Sequence, residues 1–127
     1  MAATILVVED ERNLRNLYER ELAALGYEVS LARDGFEAVQ LAEQDPPDLV
    51  IMDIRLPGMD GLDAMSRILN TNRKLPVIIN SAYPEYKDNF MSWCAVRYVV
   101  KSSDLTELLE CVGQCLGTDM AGAPQPG

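Results

Sequence analysis

Apolar positions along the chain follow two rhythms that alternate. Short unbroken apolar runs, Thr4 to Val8, Leu49 to Met52 and Val77 to Ile79, are the pattern of strands buried on both faces. A further run, Arg97 to Val100, forms a fifth strand that delivers Lys101. Tyr27 to Ala32 instead alternates, with Tyr27, Val29 and Leu31 against Glu28 and Ser30, which predicts a strand with one wet face. Between these runs the spacing lengthens to that of helices. Leu14, Leu17, Tyr18, Leu22 and Leu25 share one face, and Gly26 supplies the stop. Asp34-Gly35 turns the chain into a short helix carrying Phe36, Val39 and Ala42, and Pro46-Pro47 closes that stretch. Asp60 is placed to cap a helix with Leu62, Met65, Ile68 and Leu69 inward. Glu85 to Cys94 carries a weak helical pattern. Asp104, or Ser103 before it, opens a last helix with Leu105, Leu108, Leu109, Val112 and Leu116 on its inner face.

Strand followed by helix, five times, predicts an α/β fold with a parallel sheet covered on both sides. Right-handed crossovers make it doubly wound, a flavodoxin-like three-layer αβα sandwich. The half-wet second strand belongs at an edge, which fits the five-stranded order 2-1-3-4-5. In such sheets the site lies beyond the C-terminal ends of strands 1 and 3, where the winding reverses. Glu9, Asp10 and Asp53 stand at those two ends. The expected domain is 1–117; residues 118–127 are rich in Gly, Ala, Pro and Gln and are expected to be a disordered tail or the stump of a linker.

Composition narrows the function further. No apolar run approaches the ~20 residues that span a bilayer, and no signal peptide pattern opens the chain, so the expected location is cytoplasmic, away from membranes. The three cysteines form no disulfide framework. A net charge of −9 argues against a nucleic-acid surface. With no histidine in the chain, zinc and copper fit poorly.

The acid at the end of a buried strand needs a reason, because burying an unpaired charge costs several kcal/mol. Three carboxylates at one sheet edge repel each other, and a hard divalent cation such as Mg²⁺, which takes oxygen ligands, resolves the repulsion. Asp53 is then either a ligand or a nucleophile toward a phosphoryl group. Phosphoryl transfer asks for little beyond an in-line nucleophile and cations facing the phosphoryl oxygens. Lys101 at the end of the fifth strand and Ser81 at the end of the fourth offer a cation and a hydroxyl. Taken singly, each is an ordinary turn or surface residue. Together they put one functional residue type at each of four strand ends.

This set resembles the receiver domain of two-component response regulators over about residues 3 to 117. The resemblance rests on Glu9-Asp10, on Asp53-x-x-Leu-Pro-Gly-Met-Asp-Gly through Gly61, on Ser81-Ala82 and on Lys101. It implies a histidine kinase, or a phosphotransfer protein, donating a phosphoryl group to Asp53 in a Mg²⁺-dependent reaction. Mg²⁺ would be bound by Asp10, Asp53 and the backbone carbonyl of Arg55, with Glu9 acting through water. Ser81, Ala82 and Lys101 would meet the phosphoryl group, and Tyr98 would turn inward as Ser81 moves. The face of the fourth helix, fifth strand and fifth helix would be read by a partner. Arg55 and Tyr83, two residues after the acceptor and after Ser81, would modulate dephosphorylation, with slow or moderate loss of phosphate.

One departure stands out: family members usually place proline after the lysine, often through a cis bond. A cis bond before Ser102 would cost ~2.5–4 kcal/mol against ~0.5–1 before proline, so a trans bond is expected here. The competing readings are a Mg²⁺-dependent aspartyl-phosphate phosphatase, a receiver cut from a longer DNA-binding regulator, and a module of this fold that is never phosphorylated. The phosphatase lacks its usual second acid, because Arg55 stands there. A stand-alone receiver that is not a true enzyme remains the leading expectation, with self-phosphorylation and autodephosphorylation as its only chemistry.

Overall fold

The computed structural model describes residues 2–59, 61–86 and 97–117. Its elements run β1 (Thr4–Val8), α1 (Arg12–Ala24), β2 (Glu28–Ala32), α2 (Gly35–Gln44), β3 (Leu49–Met52), α3 (Gly61–Thr71), β4 (Val77–Ser81), β5 (Arg97–Val100) and α4 (Thr106–Leu116). All strands pair in parallel, in the order β2-β1-β3-β4-β5. The expected topology and the edge position of the half-wet strand β2 are both present.

Side-chain alternation splits the core in two. Leu6, Val8, Val50, Met52 and Ile79 pack against Ala38 and Ala42 of α2 and Met65 and Ile68 of α3. Ile5, Val7, Leu49, Ile51, Ile78 and Val99 pack against Tyr18 and Leu22 of α1 and Leu108 and Val112 of α4. The central strands therefore need apolar residues at every position, which is why they read as unbroken runs.

Three local details differ from the sequence expectation. The inward face of α2 is Gly35, Ala38 and Ala42, small residues that let the helix lie close, while Phe36 is 58% exposed. α4 begins at Thr106 with Leu105 at its cap position; Asp104 still serves the first turn, accepting from the Thr106 N–H at 3.0 Å. Between Pro84 and Tyr86 the chain makes one 3₁₀ turn. The rest of the helix expected over Glu85 to Cys94, the cap at Asp60 and the tail at 118–127 lie outside the described residues.

Candidate functional site

β1 and β3 are neighbours, and their ends bring Glu9, Asp10 and Asp53 to one edge of the sheet. Carboxylate oxygens from these three acids lie within 4.8 Å of one another. Glu9 and Asp53 are buried, at 2% and 7% exposure, and Asp10 is exposed. Lys101 reaches in from the end of β5. Its Nζ stands 2.7 Å from Glu9 Oε1 and 2.6 Å from Asp53 Oδ2. Every peptide bond among the described residues is trans, that before Ser102 included. The lysine meets both acids without the family's proline, held instead by its backbone N–H donating to the Ser81 carbonyl at 2.7 Å.

One ammonium is shared by two buried acids. Burial pushes the Glu9 carboxyl above its ordinary value, and hydrogen bonds from Lys101 and the Glu11 N–H only partly offset it. For Lys101 the balance runs the other way: burial pulls its ammonium down, but hydrogen bonds to Asp53 and Glu9 outweigh that and raise it. The lysine is therefore firmly charged.

The other expected residues surround this group. The Arg55 N–H donates to Asp53 Oδ1 at 3.2 Å, and the Arg55 guanidinium lies 4.4 Å above the Tyr83 ring. That contact joins two positions that the sequence could only suggest separately. Ser81 is fully buried and its Oγ accepts from the Tyr83 N–H at 3.1 Å, while Ala82 beside it is exposed. Tyr98 is buried, with its hydroxyl donating to the Tyr83 carbonyl. Tyr83 thus touches Arg55, Ser81 and Tyr98 at once.

Several contributors escaped the sequence. Arg15, on the polar face of α1, donates from Nη1 to the carbonyls of Glu9 at 3.0 Å and Asp10 at 2.9 Å, fixing the loop that presents them. The Glu11 N–H donates to Glu9 Oε2 at 3.1 Å. Gly61 has no room for a side chain: a Cβ there would stand 2.6 Å from the Asp53 carbonyl oxygen and 2.8 Å from the Ile54 Cα. Its N–H donates to the Ile54 carbonyl at 2.8 Å, which pins the loop after Asp53 onto the start of α3. The Asp-Gly pair was visible in the sequence; the backbone contact that requires glycine was not.

The parallel 2-1-3-4-5 sheet thus gathers three acids at its reversal point and brings a lysine to them from the end of β5. The chain belongs to the response regulator receiver domain family, whose model matches residues 5–113. Regulatory protein AtoC of Escherichia coli is 38% identical over 106 residues, spanning 82% of this chain and 23% of that protein. Response regulator MprA of Mycolicibacterium vanbaalenii is 36% identical over 111 residues, spanning 86% of this chain and 48% of that protein. The chain thus spans half or less of the length of these curated relatives.

Among solved structures, response regulator TrrA of Thermotoga maritima, in complex with Mg²⁺-BeF, superposes with a TM-score of 0.84 at 40% identity, covering 91% of this chain and 99% of that one. The receiver domain of sensor histidine kinase PA1611 from Pseudomonas aeruginosa, with a magnesium ion in its active site cleft, gives 0.83 at 31% identity, covering 93% and 100%. No helix among the described residues is long and apolar enough to cross a membrane.

Proposed function

We propose that Asp53 is the phosphoacceptor of this receiver domain and that a histidine kinase, or a phosphotransfer protein, is its donor. The observation that carries the reading is the convergence of Glu9, Asp10, Asp53 and Lys101 at one sheet edge. The donor set suits Mg²⁺: it offers oxygen and no thiolate or imidazole. Asp10 and Asp53, with the Arg55 carbonyl, would hold the ion. Glu9, buried and paired with Lys101, would act through water. When bound, the ion neutralises charge on the transferring phosphoryl group.

The remaining steps belong to the chain's own groups. An Asp53 carboxylate oxygen attacks the donor phosphorus, and the bond from phosphorus to the donor's leaving atom breaks with its electron pair going to that atom. The product is an acyl phosphate on Asp53. Lys101 transfers its hydrogen bond from Asp53 Oδ2 to a phosphoryl oxygen, and the Ser81 hydroxyl, whose Oγ accepts from the Tyr83 N–H, turns its own O–H to donate to another phosphoryl oxygen. As Ser81 shifts toward the phosphoryl group it draws on the Tyr83 N–H, and the Tyr83 carbonyl in turn holds the Tyr98 hydroxyl, so the change at Asp53 passes to β5 and the surface beside it. A partner protein would read that surface; the chain is an acceptor and a signal, not a turnover catalyst.

Incubation with acetyl phosphate and Mg²⁺ followed by intact mass tests the assignment. One added phosphoryl group in the wild type, absent from Asp53→Asn, is expected; labelling that survives the substitution contradicts it. Steady turnover of small phosphate esters would favour a phosphatase. The Arg55–Tyr83 stack supports a slow or moderate loss of phosphate, because Arg55 stands beside the acid that water must approach. Arg55→Ala and Tyr83→Ala are each expected to hasten hydrolysis, and unchanged rates in both would remove this role.

A further inference from the structure

β4 reads Val-Ile-Ile-Asn-Ser, and its asparagine is an anomaly. Asn80 is 3% exposed in a central strand, where a branched apolar residue would pack at no polar cost. Alternation sends it, with Ile78, toward the core shared by α1 and α4, and sends Ser81 the other way. There the Asn80 side chain shares a hydrogen bond with the hydroxyl of Tyr18, itself 3% exposed on α1. Neither group has a part in the phosphoryl chemistry described above.

Two neighbouring features give this bond something to do. A cleft of about 330 Å³ opens beside Asn80, between the end of β5 and the start of α4, lined by Val99, Lys101, Leu105 and Leu108 among others. Packing is therefore thin on that side of the strand end, and a directional bond has to fix what packing does not. Asn80 also precedes Ser81, whose Oγ accepts from the Tyr83 N–H and whose carbonyl accepts from the Lys101 N–H. Any slip of Asn80 carries the hydroxyl and the lysine with it. At the other end, Arg15 stands three residues before Tyr18 on the same helix and grips the carbonyls of Glu9 and Asp10.

We propose that Tyr18 and Asn80 are a positioning pair, through which α1 braces the strand end bearing Ser81 and Lys101 against the acid loop that Arg15 holds. The proposal rests on the reading of Asp53 as phosphoacceptor, and the test below keeps the two apart. Tyr18→Phe and Asn80→Val each leave a buried polar group without its partner and lower the melting temperature. The double variant removes both partners, and its melting temperature returns to within a few degrees of the wild type.

In that stable double variant, labelling by acetyl phosphate at saturating Mg²⁺ is expected to slow about tenfold, with half-saturating Mg²⁺ unchanged. Hydrogen exchange at the Lys101 amide is expected to quicken by a similar factor, while exchange in β1 stays as it was. Wild-type labelling together with wild-type exchange overturns the proposal. So does a double variant no more stable than the singles with exchange raised throughout the sheet, since the pair would then be packing alone. A wild type that takes no phosphoryl group sinks the reading of Asp53 instead, and exchange at Lys101 still decides the pair.

Discussion

Glu9 has burial on one side and half a cation on the other. Its carboxyl is raised in the fold, above the ~4.3 at which an unfolded glutamate titrates. Folding therefore favours its neutral form: the cost of charging it is absent below the unfolded value and complete above the folded one. Glu9→Gln, neutral and of the same shape, removes that cost at pH 7. The metal-free variant is expected to melt at a higher temperature, read by thermal unfolding at pH 7. A lower melting temperature would show that the Lys101 pair outweighs the burial. Lys101→Ala has a split outcome. Without its ammonium on Glu9 and Asp53, both acids are freed for a cation, so Mg²⁺ should bind more tightly by titration calorimetry. Phosphorylation should nevertheless slow about a hundredfold, because the proposed reaction loses the charge that would face the phosphoryl oxygens.

At the scale of elements, the loop from Asp53 to α3 is set by contact between backbones. Gly61→Ala drives a methyl group into the Asp53 carbonyl and the Ile54 Cα, atoms that cannot swing aside as a side-chain tip can. It is expected to cost about 1–3 kcal/mol by denaturant unfolding and to slow phosphorylation, because the displaced backbone carries Asp53, the proposed acceptor. α4 allows a separate test. Burial pushes both the Cys111 and Cys115 thiols up. In a Cys94→Ser background, iodoacetamide should label them slowly at pH 7, with the rate still climbing above pH 9 as thiolate forms. Fast labelling at neutral pH would mean that the helix opens far more readily than its buried Leu108 and Val112 imply.

For the molecule as a whole, Mg²⁺ should stabilise the fold, by about 2.7 kcal/mol at a hundred times its dissociation constant. Sodium chloride of equal ionic strength should not reproduce this, and Asp53→Asn should blunt it. The architecture was legible in the sequence because each central strand needed apolar residues on both faces, and the acids were legible because they interrupt those runs at strand ends. What stayed hidden depends on distance in three dimensions. Arg15 looked like any polar residue on a helix, and the small residues Gly35 and Ala38 that face the core from α2 were not singled out beside Phe36. Tyr18 sat correctly on the buried face of α1, but its partner is 62 residues away in the chain. The lysine illustrates the limit best: the missing proline was visible, and the Ser81 carbonyl that holds its strand end was not.

The sharing of one ammonium between two acids has a consequence for the molecule's electrical character. Empty of metal, the site carries three carboxylates against one lysine, an excess of two negative units that a divalent ion cancels. Under the proposed reaction Asp53 gives up its own charge as it becomes an acyl phosphate and takes on a phosphoryl group near −2 at neutral pH. Each phosphorylation event therefore adds about one negative unit to a protein already at −9. Asp53→Asn moves the charge one unit the other way. The two forms should separate on an anion-exchange column on either side of the unmodified protein, and that order reports the state of Asp53 without reference to any change of shape.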